Sequence, residues 1–198
     1  PAASRVTRIQ TPINRMGAYI QDLISISAKL KLLAGVRWSV QNAEAATTTY
    51  LLKNDSLAKA GSTTVSAFSP RLGLVYRPTQ NISAFASYSN SFSVNSGTDV
   101  FGNALTPSII DQFEIGLKND FIKGKLSANL TFYRIINNNL AQTAPFAADG
   151  ITPNNNTALK ELAGETTSDG VELDLVSQPV KGLNLMAGYS FNYMRYTD

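Results

Sequence analysis

"IIDQFEIGLKNDFIKGKLSANLTFYRI", Ile109 to Ile135, reads with a period of two on both sides of a Lys123-Gly124 turn. Phe113, Ile115, Leu117 and Phe121 share one parity, opposed by Gln112, Glu114, Gly116, Lys118 and Asp120. After the turn, Leu126, Ala128, Leu130 and Phe132 oppose Ser127, Asn129 and Thr131. Each strand therefore has an apolar face and a face that carries charge. A dry sandwich core cannot take the charged face without a large desolvation cost. Water cannot take the apolar face, because over many strands it exceeds the few hundred Å² of apolar patch that soluble monomers tolerate. Apolar outside and polar inside is the inverted arrangement that lipid selects.

The same alternation extends along the chain. It marks segments at Ile13 to Ile26, Lys29 to Asn42, Thr63 to Arg77, Asn81 to Ser93, Ile110 to Ile122, Lys125 to Asn137, Thr166 to Ser177 and Leu183 to Tyr196. "RLGLVYRPTQNISAFASYSNSF", Arg71 to Phe92, holds two of them around a proline turn. Many run to about 12 residues, above the ~5–6 usual in globular proteins and close to the ~9–11 needed to cross a bilayer at a tilt.

The connections strengthen this reading. Those at Ser27-Ala28, Pro78 to Gln80, Lys123-Gly124 and Pro179 to Gly182 are tight, and those at Ala43 to Ser62, Val94 to Ile109 and Asn138 to Glu165 are long. Short and long alternate strictly, so all the short ones fall at one end of the sheet. This is the layout of an outer-membrane barrel, with short periplasmic turns and long extracellular loops; a soluble sandwich usually mixes lengths. Outward aromatics are expected in two belts, with Trp38, Tyr88, Phe92, Phe132, Phe191 and Tyr193 toward the long loops and Tyr76 and Phe121 near the turns. Phe85, Tyr133 and Met186 point inward, and Pro70, which has no N–H, is expected to bring a bulge or kink.

Composition narrows the function classes. Among 198 residues, 43% are hydrophobic and 16% charged, below the ~25% charged of soluble domains. Cysteine and histidine are absent, which removes disulfides and the commonest general base, nucleophile pair and zinc ligands. No catalytic residues and no metal ligands are assigned. The net charge is +3 with scattered basic residues, which disfavours nucleic-acid binding. No signal-peptide region opens the chain, so it reads as a mature chain or an excised segment.

Four stretches in order resemble the barrel of TonB-dependent receptors, closest to the ferric-siderophore branch. They are "GAYIQDLISISAKLKLLAGVRWS" (Gly17 to Ser39), "SPRLGLVYRPTQNISAFASYSNSF" (Ser69 to Phe92), the Ile109 to Ile135 stretch, and "TTSDGVELDLVSQPVKGLNLMAGYSFNYMRYTD" (Thr166 to Asp198). The resemblance covers nearly all of the chain except the long loops. It implies a transmembrane antiparallel up-and-down barrel of about 22 strands closed by an N-terminal plug. A ferric siderophore is the transported ligand, outer-membrane lipid surrounds the barrel, and the periplasmic partner TonB pulls on an N-terminal box. The chain shows no plug, no TonB box and no aromatic-terminated last strand, so residues 1–198 are expected to be a partial barrel of about eight strands, unable to transport alone.

The resemblance also implies that aromatic and basic residues high in the lumen and in the loops hold the chelate. By parity and depth these are Arg37, Gln41, Ser89, Ser91, Gln112, Glu114 and Tyr133, with loop residues Tyr50, Phe101 and Phe146 closing over it. Each also has a plainer reading: lumenal polar groups contact a plug or one another, and loop aromatics pack within their own loop. Glu172 and Asp174 read as an inward carboxylate row facing plug arginines or water. Three alternatives stand beside the transporter: a self-contained eight-strand anchor or adhesin barrel, a passive porin, and a soluble β-rich binding module.

Overall fold

The structure is a computed structural model and describes residues 7–50, 55–122 and 124–197. The strands are β1 (Thr7–Gln10), β2 (Ile13–Ser25), β3 (Leu30–Tyr50), β4 (Asp55–Tyr76), β5 (Ile82–Ser93), β6 (Ser108–Ile122), β7 (Leu126–Asn138), β8 (Ala141–Thr143), β9 (Lys160–Leu162), β10 (Glu165–Val180) and β11 (Leu183–Tyr196). The main sheet has the order β1-β3-β4-β5-β6-β7-β10-β11, with β2 also on β3; β8 and β9 form a small separate ribbon. The described ladders are antiparallel, and consecutive long strands pair, as in an up-and-down meander. All eight predicted strands are present.

The chain divides into two compact units, Pro1–Ala18 with Arg37–Phe68, and Tyr19–Val36 with Ser69–Asp198. In the smaller, β1 pairs with the end of β3 from Thr7↔Thr49 to Gln10↔Ala46. The Thr11-Pro12 step separates β1 from β2, and the Glu44 N–H donates to the Pro12 carbonyl (3.1 Å), so the ladder resumes past a residue that has no donor. In the larger unit, β6, β7, β10 and β11 run in long continuous register, with Leu117, Leu130, Leu173 and Tyr189 aligned across four strands.

Burial identifies the faces. On β6, Phe113, Ile115, Leu117 and Phe121 are exposed, while Gln112, Glu114 and Gly116 between them are half-buried. Ile115 is 60% exposed, Phe132 50% and Phe191 53%. Among the described residues the only buried apolar side chains are Leu105 and Ala144, both in loops. Among the described residues no second sheet covers the apolar face, and no dry core lies on the sheet. The inverted reading holds.

The boundaries differ from expectation in instructive places. The long connection expected over Ala43 to Ser62 is mostly strand, since β3 runs for 21 residues and β4 for 22. "EAATTTY" (Glu44 to Tyr50) carries β-branched threonines that suit a strand, but its alternation is too weakly apolar to register as one. Both strands exceed the ~9–11 residues needed to cross a bilayer. The Asn138 to Glu165 connection contains the β8–β9 ribbon. The turn expected over Pro179 to Gly182 narrows to Lys181-Gly182, because Val180 pairs with Leu183; the register shifts between Ser177 and Val180, around Pro179. Gly182 takes φ +91°, which L side chains adopt only with strain. Pro70 lies within β4, and the described register with β5 begins at the next residue, Arg71↔Ser89. Lys123 lies outside the described residues.

One outcome follows for stability. In the full-length protein, Leu117→Arg at mid-height of the apolar face should cost ~2–4 kcal/mol, whereas Ser127→Arg on the opposite face should stay within about 1 kcal/mol. Denaturant unfolding in lipid vesicles, followed by heat-modifiable gel migration, measures both.

Candidate functional site

The inner faces of β5, β6, β7, β10 and β11 build one polar wall. Direct cross-strand pairing sets Ser87, Glu114, Tyr133, Gly170 and Asn192 in a single row. Within it the Ser87 hydroxyl donates to Glu114 (3.2 Å), the Gln112 amide also donates to Glu114, and Asn192 Nδ2 donates to the Tyr133 hydroxyl (2.9 Å). Ser89 lies opposite Gln112, and Ser91 two residues further along β5 toward the long loops. Four of the sequence-predicted residues, Ser89, Gln112, Glu114 and Tyr133, thus converge, with Ser91 beside them.

Small residues shape this wall. A Cβ on Gly170 would lie 2.2 Å from Cζ of Tyr133, and one on Gly116 would lie 2.5 Å from Cζ of Phe85. The outer edge of each inward ring therefore occupies the space above the glycine of the neighbouring strand, where a larger residue would collide with it. Lys118 Nζ stands 5.4 Å from the Phe85 ring centroid. Near the short turns the wall has a hollow of about 350 Å³, whose rim includes Gln80, Ser83, Lys118, Asp120, Asn129 and Asp174. Asn129 Nδ2 donates to Asp174 across 3.4 Å, so Asp174, one of the two expected inward carboxylates, lines an open polar surface. Arg37 and Gln41 belong to the smaller unit. There Arg37 Nε donates to Ser39 (2.9 Å) and Arg15 Nε to Gln41 (2.7 Å). The side chain of Tyr50 lies outside the described residues.

A second concave site sits between the loops Val94–Pro107 and Asn139–Gly164. The loops are tied together: the Lys160 N–H donates to the Thr98 carbonyl (2.8 Å), and Asn95 Nδ2 donates to the carbonyls of Thr106 (2.8 Å) and Asn139 (3.0 Å). The Ser108 hydroxyl donates to the Asn139 carbonyl (2.8 Å). Over the small floor of Leu105 and Ala144 lies a groove of about 560 Å³, which Phe101, Phe146, Leu162 and Lys160 also line. That volume suits a small molecule. Phe101 is 73% exposed, so the two predicted loop aromatics share a groove instead of packing away. Leu105, Lys160 and Leu162 were not singled out from sequence. The signal was there in "NAL" and "LKEL", apolar residues inside polar loops, but no period tied them together.

Two aspartates fix the loop backbone. Asp99 receives the side-chain amide and backbone N–H of Asn103 and the N–H of Phe101, and these bonds hold its carboxyl below the usual range. Asp149 is held to about 2 by the Thr152 hydroxyl and the N–H groups of Ile151 and Thr152. Because these pKa values are lower folded than unfolded, the loop order they support is complete above the ordinary carboxyl pKa of 3.8. It is lost as pH falls toward about 2. Protease nicking within residues 145–155 of the full-length protein should rise when pH drops from 5 to 2.5, and Asp149→Asn should give that rise already at pH 5; an acid-stable protease such as pepsin reads both.

Comparison with known proteins gives a consistent answer. The family profile described as "TonB dependent receptor-like, beta-barrel" matches residues 1–198. The metal-pseudopaline receptor CntO of Pseudomonas aeruginosa is 29% identical over 96% of this chain and 26% of its own length. The ferrioxamine B receptor of Salmonella typhimurium is 28% identical over 96% of this chain and 24% of its own. Among solved structures, the siderophore receptor PiuA of Acinetobacter baumannii superposes with a TM-score of 0.75 at 23% identity, over 96% of this chain and 26% of that one. This last likeness concerns the fold. The chain spans about a quarter of the length of these relatives.

Proposed function

The chain belongs to the TonB-dependent receptor-like β-barrel family, and from that membership we propose that it is part of an outer-membrane transporter that imports ferric siderophores. The observation that carries this reading is the match of the family profile along the whole chain, with similar proteins named as receptors for pseudopaline–metal, pyoverdine and ferrioxamine chelates. The family's transporters are not enzymes, and its members reside in the outer membrane of Gram-negative cells.

In this reading the described strands are a sector of the barrel wall. The polar row of Ser87, Glu114, Tyr133 and Asn192 faces the bore, where a plug and the passing chelate meet it. Phe101 and Phe146 at the loop groove make first contact with the chelate from outside. Ser89, Ser91 and Gln112 are assigned to the same path, and Arg37, Gln41 and Tyr50 to chelate contacts within the smaller unit. Energy enters through TonB acting on the plug, and the transported metal is cargo. The family profile and the receptor relatives do not favour the eight-strand anchor, the passive porin or a soluble module.

Deletion of the full-length gene should abolish energy-dependent uptake of radiolabelled iron presented as a siderophore, while uptake of small sugars stays unchanged. Loss of TonB should have the same effect as the deletion. Phe101→Ala with Phe146→Ala should raise the concentration of chelate needed for half-maximal uptake about tenfold, the size expected for aromatic anchors. Uptake that persists without TonB would overturn the proposal.

A further inference from the structure

Just above the apolar face, the outer parity of the larger unit carries charge. Register aligns Tyr88, Phe113, Arg134, Asp169 and Tyr193 at one level. Directly below them on the same face lie Ile115, Phe132, Val171 and Phe191. Arg134 Nε donates to Asp169 Oδ1 (2.6 Å), with a second bond from its Nη2 to Oδ2 (3.2 Å). Arg195, two residues beyond Tyr193, donates from Nη1 to Asp169 Oδ2 (2.8 Å), and its guanidinium lies 5.5 Å from the Tyr193 ring centroid. Two guanidiniums thus share one carboxylate. Nearby acids are occupied elsewhere: Asp111 accepts from the Tyr88 hydroxyl (2.7 Å) and Asn90 (2.8 Å), and Glu165 from the hydroxyls of Thr197 (2.7 Å) and Thr167 (3.3 Å).

We propose that Arg134 and Arg195 form a site for the anionic phosphate headgroup of a membrane lipid, at the loop-side rim of the lipid-facing wall. The occupant follows from continuity and charge. Acyl chains cover the apolar face immediately below, so the group that sits level with the arginines is a headgroup. Arg134 and Arg195 keep 55% and 35% of their side chains exposed, and Asp169 balances only one of the two positive charges. Guanidinium forks pair with phosphate oxygens in bidentate fashion. Asp169 gathers both guanidiniums at one level while occupying part of their donors, and Tyr88 and Tyr193 at the same level suit the depth of a headgroup. This site lies on the outer face and is independent of the chelate path.

The test uses the full-length protein in non-ionic detergent, titrated with dioleoyl phosphatidic acid and read by native mass spectrometry. Dioleoyl phosphatidylcholine and inorganic phosphate are the comparison probes. Phosphatidic acid should bind in preference to both, and Arg134→Gln with Arg195→Gln should weaken it about tenfold. Asp169→Asn frees both guanidiniums and should bind phosphatidic acid at least as tightly as the parent, although the cluster loses its internal ion pairs. Heat-modifiable migration checks that each variant is folded. Equal binding by the arginine variants, equal binding of phosphatidylcholine or free phosphate, or a loss in Asp169→Asn matching the arginine variants would overturn the site.

Discussion

The two faces of each long strand answer to different solvents, and the rest of the structure follows from that division. In hydrocarbon no water is available to satisfy a backbone amide, so the chain must pair every N–H and C=O between strands. The continuous registers of β6, β7, β10 and β11 do this. Once the backbone is satisfied, a leucine or phenylalanine half exposed on the outer face carries no penalty, because its surroundings are as apolar as itself. The same exposure in water would leave a patch far too large for a monomer. The scarcity of buried apolar residues is therefore not weak packing. In the proposed function the bilayer takes the place of the core.

The inner face meets the opposite demand. It must stay wet, keep its charged groups satisfied, and leave room. Tyr133 and Phe85 place their ring edges over Gly170 and Gly116, so the absence of a side chain at each glycine makes the room that the ring needs. Ser87, Gln112 and Glu114 bond to one another along the wall. At the loop ends chemistry changes again: Asp99 and Asp149 pin the backbone, and a small floor of Leu105 and Ala144 supports an exposed apolar groove.

Much of this was legible in the sequence because a period of two is a direct record of strand faces. Glu114 opposite Ile115, or Glu172 opposite Leu173, is enough to say which side is wet. Strand ends were less legible where the solvent contrast disappears: the Ala/Thr-rich end of β3 is strand with no lipid stripe, and alternation cannot mark it. The ring-on-glycine contacts depend on register between strands far apart in sequence. So does the Arg134–Asp169–Arg195 cluster, whose members lie 26 to 35 residues from the shared aspartate. The loop groove depends on two long connections meeting, and no local pattern encodes that. Phe101 and Phe146 could be named singly from sequence, but their shared groove could not.

The division of solvents can be measured directly: residues 1–198 have no cysteine, so once any cysteine elsewhere in the full-length protein is replaced by serine, single cysteines can be introduced one at a time for nitroxide labelling. Labels at positions 115, 130, 173 and 191 of the full-length protein in lipid vesicles should collide with dissolved oxygen far more than with a water-soluble nickel chelate. Labels at 114, 129, 172 and 190 should show the reverse, so the ratio alternates with every residue along each strand. A ratio that does not alternate, or that puts the leucine and phenylalanine positions in water and the glutamate positions in lipid, would contradict the account.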